Sequence, residues 1–282
     1  MHTTARAEQA VLAEAQFGHG PTWDAGTASL LWTDLRSRTV HRYAPDDTDH
    51  SMEVPQQVSA AKPRSRGGLL LHFDEGIALY DPDGERRTWL TFWARDGFRG
   101  GETTVDSCGR VWANTVPEDE HGDGWLVRVD AGGAAHVVLN GISAGNGLAW
   151  SPDDTVLYFA DGATRRVDAL TVDPVTGAAS ERRPAFEVDG EPGGLCTDVE
   201  GGVWVAVRDR GEVRRYAPDG RVDRTVPLPS QRPTGCCFGG EDLTDLYITT
   251  AREGLAEPAP ADGAVLVLPD AGTGLRSHTF AG

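Results

Sequence analysis

The amino-acid sequence predicts an all-β fold, a six-bladed β-propeller with four-stranded blades, formed by a single domain over residues 1–282. The first reason is a sequence motif that recurs six times, in which a turn of small residues leads into a short apolar strand. The second is the spacing of the copies, roughly 40 residues, which is the length of one blade. The third is the near absence of helix signals, together with 35 Gly and 17 Pro residues that suit many tight turns. The six copies begin near Gly20, Val58, Gly100, Gly145, Pro192 and Pro233.

Each copy continues with a second apolar run, which we assign as the second strand of its blade. These runs cover residues 29–33, 68–73, 110–113, 156–160, 202–207 and 245–249. A third strand follows, and then an Asp-Gly or Pro-Asp turn of the kind that joins the strands of a hairpin. The third strands begin near Val40, Gly76, Trp125, Arg166 and Glu212. The chain is therefore expected to run up and down through each blade.

Two segments fall outside this pattern. Residues 1–12 are polar and are expected to form a flexible N-terminal tail, while the stretch from Ala13 to Phe17 is expected to supply the strand that closes the ring. A long acidic segment between Asn114 and Gly124 separates a second strand from a third. Such a loop either covers a site or is a solvated surface turn.

Composition narrows the possible partners and compartment. The formal net charge is −17, which makes nucleic acid an unsuitable partner because phosphate binding needs basic patches. No apolar run approaches a membrane span, and the N-terminus lacks the apolar stretch of a signal peptide, so we expect a cytoplasmic protein with no membrane partner. The four cysteines lack zinc spacing and are expected to be reduced core thiols. The bias toward Ala, Gly, Arg and Asp suggests a GC-rich bacterium and a role in specialised metabolism.

Polar residues are concentrated at one mouth of the predicted channel. In an up-and-down blade, the start of the first strand and the end of the second lie at the same end of the channel. A polar mouth in an otherwise apolar propeller predicts a site for a small-molecule substrate. The candidate residues are His19, Arg99, Glu102, Asn114, Asn146 and Asp161.

Several phrases of the chain resemble one known family. Asn146 opens Asn-Gly-Leu-Ala-Trp-Ser-Pro-Asp, Gly20 opens Gly-Pro-Thr-Trp, and Leu195 opens Leu-Cys-Thr-Asp. These motifs occur along the chain in the family's order, over about residues 14–268. The chain is thus similar to the senescence marker protein, gluconolactonase and luciferin-regenerating enzyme family, which includes regucalcin. The resemblance implies a six-bladed propeller, a divalent metal (calcium or zinc) deep at the channel mouth, and hydrolysis of lactones or similar esters.

The departures from the family pattern fall in the site. The resemblance implies three metal ligands: the Asn is retained as Asn146, the Glu is replaced by His19, and the Asp, usually also the catalytic base, is replaced by Gly193. The family's substrate-contacting phrase Arg-x-Asn-Asp-Gly reads Arg99-Gly-Gly-Glu102-Thr here. Calcium needs six to eight oxygen ligands with carboxylates to balance its charge, so replacing two of the three usual ligands disfavours it. His19, Asn146 and Glu102 remain an alternative set for zinc or a similar metal.

Each candidate residue has more than one interpretation. His19 is a candidate general acid or base, because imidazole titrates near neutral pH, or else a polar substitution tolerated in an inactive site. Glu102 is the candidate acid–base partner of His19, or else it forms an ion pair with Arg99. Arg99 is a candidate to bind a carboxylate of the substrate or to stabilise an oxyanion. Asp161 either contacts substrate or braces a loop through backbone hydrogen bonds. Substrate contacts are expected from Arg99, Asn114, Asn146 and Asp161.

Three functions are compatible with these observations. The first is a divergent gluconolactonase-like enzyme that acts on a small lactone, ester or related metabolite, with the usual metal site altered. The second is a metal-dependent lactonase whose metal site is re-formed around His19. The third is a non-catalytic propeller that binds a small molecule or a protein. A propeller fold hosts many functions and does not choose among these three.

Overall fold

The computed structural model describes residues 6–45, 49–84, 87–93, 95–118 and 122–282. Its strands form six four-stranded antiparallel sheets, arranged as a six-bladed β-propeller, which confirms the fold predicted from the sequence. Over the described ranges, one 3-10 turn at Gly162–Thr164 is the only helical element, and no helix there is long and apolar enough to cross a membrane.

The first three blades follow the chain from its N-terminal region, after a short strand β1 (Glu8–Val11) that belongs to the last blade. Blade one contains β2 (Gly18–Asp24), β3 (Ser29–Asp34), β4 (Thr39–Tyr43) and β5 (Asp49–Glu53). Blade two contains β6 (Val58–Pro63), β7 (Leu69–Phe73), β8 (Gly76–Tyr80) and β9 (Arg87–Phe92). Blade three contains β10 (Phe98–Val105), β11 (Val111–Pro117), β12 (Gly124–Val129) and β13 (Ala135–Ile142).

The remaining three blades complete the ring. Blade four contains β14 (Gly145–Trp150), β15 (Val156–Asp161), β16 (Arg166–Val172) and β17 (Ala179–Glu187). Blade five contains β18 (Pro192–Thr197), β19 (Val203–Val207), β20 (Glu212–Tyr216) and β21 (Val222–Pro227). Blade six contains β22 (Pro233–Gly239), β23 (Asp245–Thr250), β24 (Val265–Leu268) and β1.

The core lies between neighbouring blades. Trp32, Trp112 and Trp204 lie on second strands and are fully buried, and Trp112 and Trp204 occupy equivalent positions in their blades. Trp112 meets Trp150 of the next blade edge-on, with ring centroids 5.3 Å apart. Large aromatic side chains contribute most to such packing, because each buries a large apolar area and edge-to-face contacts are favourable.

The strand that closes the ring differs from the one expected. It is β1, in which Glu8 pairs with Val267 of β24, and not the stretch from Ala13 to Phe17. Residues 8–11 are therefore ordered strand and not part of a flexible tail. Glu8 and Gln9 are exposed and Val11 is buried against the core, so this short outer strand carries little apolar signal and is held by backbone pairing together with the packing of Val11.

The C-terminal segment after β24 crosses the end of the channel opposite the predicted site. The backbone nitrogen of Val199 in blade five donates to Thr273, and that of Phe280 donates to Pro63 in blade two. His278 lies 3.0 Å from the carboxylate of Asp154 in blade four. The fully buried Phe280 anchors the segment, which we call the C-terminal strap (residues 269–282). The strap leaves the other mouth as the one available to ligands.

The structure differs from the sequence-based expectations for the cysteines and for the acidic segment after Asn114. Cys196, Cys236 and Cys237 are unpaired and largely shielded, whereas Cys108 is exposed, so the prediction that all four are core thiols is wrong for Cys108. The acidic segment after Asn114 is shorter than expected as a loop, because β11 continues to Pro117 and β12 begins at Gly124. Residues 119–121 of that segment lie outside the described residues.

Candidate functional site

A break in strand pairing occurs at the same place in all six blades. The register between first and second strands shifts close to the channel mouth, between His19 and Thr22 in blade one and between Gly100 and Thr103 in blade three. The other four shifts are at Val58/Ala60, Gly145/Leu148, Pro192/Leu195 and Pro233/Gly235. A bulge re-aims the side chains beside it and is common next to active sites. Most of the predicted site residues lie in or next to these bulges.

His19 of β2 is buried, with 6% of its surface exposed. Its Nδ1 lies 2.7 Å from the backbone oxygen of Ser59 in blade two. A carbonyl oxygen only accepts hydrogen bonds, so Nδ1 carries the proton and the lone pair of the neutral ring is on Nε2. Burial lowers the pKa of His19, while the carboxylate of Glu102 opposes that shift. The ring is therefore a neutral base at neutral pH.

Glu102 of β10 is also buried, and its ion-pair partner is Lys62 and not Arg99. Its Oε1 accepts a hydrogen bond from the backbone nitrogen of Thr103 at 2.9 Å and lies 3.8 Å from Lys62 Nζ. Oε2 has no hydrogen-bond partner among the described residues. A Cβ placed on Gly194 of blade five would lie 3.6 Å from this oxygen, which therefore faces across the channel. The alternative of a Glu102–Arg99 ion pair is wrong.

Lys62 lies deeper in the channel, on β6. Its Nζ donates to Thr22 Oγ1 at 2.5 Å in addition to facing Glu102. Burial lowers the pKa of Lys62, and the negative charge of Glu102 raises it in part. A cavity of about 110 Å³ lies below this pair, between the first strands and the C-terminal strap. The pair thus forms the floor of the open mouth.

Asn114 and Asn146 connect blades at the level of the site. Asn114 Nδ2 donates to the backbone oxygen of Asn146 at 2.7 Å, and Asn146 Nδ2 donates to that of Pro192 at 2.9 Å. Both amide ends of Asn114 are occupied, since its Oδ1 accepts from the backbone nitrogen of Glu102. Oδ1 of Asn146 has no hydrogen-bond partner within the described ranges. Of the two, Asn146 is the one placed to contact a ligand directly.

Arg99 and Arg208 bring two cations to the same mouth. Arg99 lies on β10 and donates from Nη1 to the backbone oxygen of Gly100, and it faces no carboxylate within ion-pair distance among the described residues. Burial, followed by the charges of Arg36 and Arg208, lowers the pKa of Arg99 to about 10. Arg208, just after β19, donates to Glu191 Oε1 at 2.8 Å. The positive charges of both arginines also lower the pKa of His19.

Asp161 lies at the mouth but uses its carboxylate locally. Oδ1 accepts hydrogen bonds from the backbone nitrogens of Ala144 at 3.0 Å and Ala163 at 3.2 Å, and it caps the 3-10 turn. Oδ2 accepts from Ser143 at 3.3 Å. Asp34 of blade one accepts from the backbone nitrogens of Gln16 and Phe17 in the same way. These contacts are those of a loop brace.

Gly193 stands where the resemblance implies a metal-binding carboxylate. A Cβ at this position would lie 2.6 Å from the backbone oxygen of Thr234 and 3.2 Å from Cγ of Arg208. The stem of an arginine thus packs where a side chain at 193 would begin. Within the described ranges, no three His, Cys, Asp or Glu side chains are grouped so that they could hold a metal ion.

Lys62 is a site residue that sequence reasoning missed, whereas Arg208 was placed at the mouth by the repeat but was given no role. Lys62 was the one charged residue in the first strand of blade two, Val58–Pro63, and a lone charge in a buried inner strand was a usable signal. Arg208 follows a second strand and so lies at the predicted mouth. Its importance depends on its contacts, which the sequence does not contain.

Comparisons with known proteins agree with this fold. Residues 17–252 match the family described as the SMP-30/Gluconolactonase/LRE-like region. The chain is 33% identical to pentonolactonase XacC from Haloferax volcanii, covering 92% of each chain, and 34% identical to 6-deoxy-6-sulfogluconolactonase from Pseudomonas putida, covering 87% of each. The crystal structure of a calcium-binding protein, regucalcin, from Agrobacterium tumefaciens superposes with a TM-score of 0.92 at 26% identity, covering 99% of each chain.

Proposed function

The chain belongs to the SMP-30/gluconolactonase/LRE-like family, and from that premise we propose that it hydrolyses a small lactone or ester at the open mouth without the family's metal. Two relatives named as lactonases of sugar acids support this reaction class. The observation that carries the proposal is the state of His19, a buried neutral imidazole whose Nε2 lone pair is free because Nδ1 donates to Ser59.

The donors present do not fit a divalent cation. Of the three family positions, His19 offers one neutral nitrogen and Asn146 one neutral oxygen, whereas Gly193 offers nothing and is packed against Arg208. The remaining carboxylate, Glu102, faces the ammonium of Lys62. Calcium requires several oxygen ligands with compensating negative charge, which this set does not supply.

The residues present support acid–base hydrolysis. His19 Nε2 accepts a proton from water as the water oxygen bonds to the lactone carbonyl carbon, and the charge that develops on the carbonyl oxygen is stabilised by Arg99. The imidazolium is stabilised by the Glu102 carboxylate. The tetrahedral intermediate then breaks its ring carbon–oxygen bond, and the leaving alkoxide takes the proton from His19. The product is a hydroxy acid, and His19 returns to its neutral form.

Glu102 is fixed for this role by its contacts. Lys62 and the backbone nitrogen of Thr103 both hold Oε1, while Oε2 stays free to face the channel. Because Lys62 is itself tied to Thr22, the carboxylate cannot swing toward Arg99 without leaving a buried cation unpaired. Lys62 is thus a positioning residue that acts through Glu102.

The test is lactone hydrolysis by protein treated with a chelator, paired with elemental analysis of untreated protein. Glucono-1,5-lactone and pentonolactones are the substrates, and calcium, zinc and manganese are added back separately. We expect turnover that survives chelation, and a loss of about 10²- to 10⁴-fold in His19→Gln. His136→Gln, an exposed histidine on the outer strand of blade three, is the matched control and should keep full activity.

Other outcomes overturn the proposal in defined ways. Stoichiometric metal with turnover restored by one cation would establish the metal-dependent lactonase with a re-formed site. Binding of lactones or hydroxy acids with no turnover under any condition would establish the non-catalytic propeller.

A further inference from the structure

Arg208 carries a donor that nothing in the described structure satisfies. Its Nε is buried and has no hydrogen-bond partner among the described residues, although its Nη1 reaches Glu191. The side chain is only 17% exposed, so water cannot hydrate the guanidinium freely. A buried N–H without an acceptor is costly, and a ligand oxygen placed there would relieve that cost.

Arg99 is the second cation with unused donors. A guanidinium has five N–H donors, and among the described residues Arg99 makes one hydrogen bond, to an adjacent backbone oxygen. Arg99, next to the start of β10, and Arg208, just after β19, both lie at the mouth end of their blades. They come from blades three and five, on either side of Asn146 in blade four. Two partly desolvated cations on either side of a cleft are arranged for an anion.

Arg36 shows that this state is not general among arginines of the mouth. Its Nε and Nη2 donate to the two carboxylate oxygens of Glu253, at 2.5 and 3.0 Å, and Nη1 donates to Gln57 at 3.1 Å. All three nitrogens of this guanidinium donate to acceptors of the protein. Arg99 and Arg208 differ from Arg36, because Nε of Arg208 has no acceptor among the described residues and Arg99 donates there from Nη1 alone. These donors are left for a ligand.

Arg208 also lies within reach of the reacting group. Its Cζ is 5.4 Å from the ring centroid of Phe17, and that ring is 5.8 Å from the ring of His19. The stem of Arg208 packs against Gly193, where a Cβ would lie 3.2 Å from Cγ of Arg208 and would crowd the stem. The absence of a carboxylate at 193 and the position of Arg208 are therefore coupled, and together they make this side of the mouth more positive.

We propose that the substrate carries a carboxylate in addition to its lactone or ester, and that this carboxylate binds at Arg208, with Arg99 facing the same space. The inference rests on the proposed function in taking the open mouth as the substrate site. Arg208 anchors the carboxylate through Nε and Nη2, a planar fork that matches the two carboxylate oxygens. Arg99 remains available to the carbonyl oxygen that gains charge during hydrolysis.

Binding is tested with two probes that cannot be hydrolysed as lactones. Methyl α-D-glucopyranosiduronate carries a carboxylate where methyl α-D-glucopyranoside carries a hydroxymethyl group, and both are titrated calorimetrically into the full chain. We expect the anion to bind about 10- to 100-fold more tightly than the neutral glycoside. Equal affinity for the two, or no binding of either, overturns the inference.

Variants assign the preference to Arg208. Arg208→Gln should remove most of the preference for the anion, and Arg208→Lys should restore part of it, because lysine keeps the charge but not the fork. Arg210→Gln removes the same charge two residues away, from an exposed pair with Asp189, and should keep the preference intact. Melting temperatures confirm that each variant folds. A full preference in Arg208→Gln would place the anion elsewhere.

A kinetic comparison separates failure of this inference from failure of the proposed function. Glucaro-1,4-lactone and glucono-1,4-lactone share a ring and differ in a carboxylate at the far carbon. Hydrolysis of both at equal kcat/KM would leave the proposed function standing and remove the anion site. Tight binding of the uronate without hydrolysis of either lactone would do the reverse.

Discussion

The side-chain oxygen of Asn114 accepts a hydrogen bond from the backbone nitrogen of Glu102 at 2.7 Å. The nitrogen of the same amide donates to the backbone oxygen of Asn146 in the next blade. Asn114 is fully buried, so no water competes for either bond. One amide therefore holds the backbone of the acidic site residue against its neighbouring blade, and a Cβ at Gly101 would collide with it.

Asn114→Asp should damage both stability and catalysis. The substitution keeps the shape but replaces the donor with an oxygen that faces the backbone oxygen of Asn146, at a cost of about 1–3 kcal/mol of unfolding free energy. Glu102 should lose its fixed position, and kcat should fall. Urea unfolding and lactone hydrolysis measure the two effects. Asn140→Asp, exposed on the outer strand of blade three, is the control, and equal behaviour of the two variants would contradict the prediction.

The proposed hydrolytic activity should rise with pH over a range, the acid limb of the pH profile, set by the pKa of His19. Burial lowers the pKa of His19 below its usual 6.5, so the limb should lie below pH 6.5 and activity should be level at neutral pH. Glu102→Gln removes the negative charge that raises this pKa, and the limb should move to still lower pH. A pH profile of kcat/KM in both proteins makes the comparison. A limb above pH 6.5, or one that Glu102→Gln leaves in place, would argue against His19 as the base.

The stability of the protein should fall in acid partly because of His72. This side chain is fully buried, its Nδ1 is 2.8 Å from Thr103 Oγ1, and burial lowers its pKa to about 3. Between pH 6.5 and about 3 the unfolded state therefore binds a proton that the folded state does not, and stability declines as the pH falls through this window.

His72→Gln should flatten that decline. The slope of unfolding free energy against pH should lose up to about 1.4 kcal/mol per pH unit, the contribution of one proton. Chemical denaturation at a series of pH values provides the slopes. His136→Gln is exposed and should leave the slope unchanged; an unchanged slope in His72→Gln would show that His72 is protonated in the folded state.

Asp161→Ala should reduce stability and leave substrate affinity alone. The carboxylate caps the turn at Gly162–Thr164 and accepts three backbone hydrogen bonds, so its removal should cost about 0.5–2 kcal/mol. Asp189→Ala, with a highly exposed carboxylate, serves as the comparison. A large rise in KM with unchanged stability would instead support a direct contact between Asp161 and substrate.

Thiol reagents should modify Cys108 first in the folded protein. Cys108 is exposed, whereas Cys236 and Cys237 are buried, and burial raises the pKa of the Cys196 and Cys237 thiols. The thiolate is the reactive form, so these thiols should react only after unfolding. Titration with a chromogenic disulfide, before and after denaturant, counts the reactive groups. Cys108→Ser should abolish the fast reaction. A fast reaction that persists in this variant would show that the other three thiols are accessible to the reagent.

The sequence alone was sufficient for the blades and for most of the mouth. Turns and strands are encoded locally, in hairpin signals and in short apolar runs, and a repeat of fixed length places equivalent positions on one rim. The repeat therefore assigns His19, Glu102 and Asn146 to the mouth. It does not identify the closing strand, because β1 is a short outer strand that begins with two exposed polar residues and pairs through its backbone with the distant β24.

Only the tertiary structure decided which contacts the residues of the mouth make. Lys62 and Glu102 are 40 positions apart, and only the meeting of blades two and three makes them partners. The free Nε of Arg208 and the fixed tautomer of His19 likewise depend on which atoms the neighbouring blades bring close. Repetition assigns a residue to the rim, but its protonation and its unused hydrogen-bonding capacity are set by burial and by contacts between blades, which no local pattern encodes.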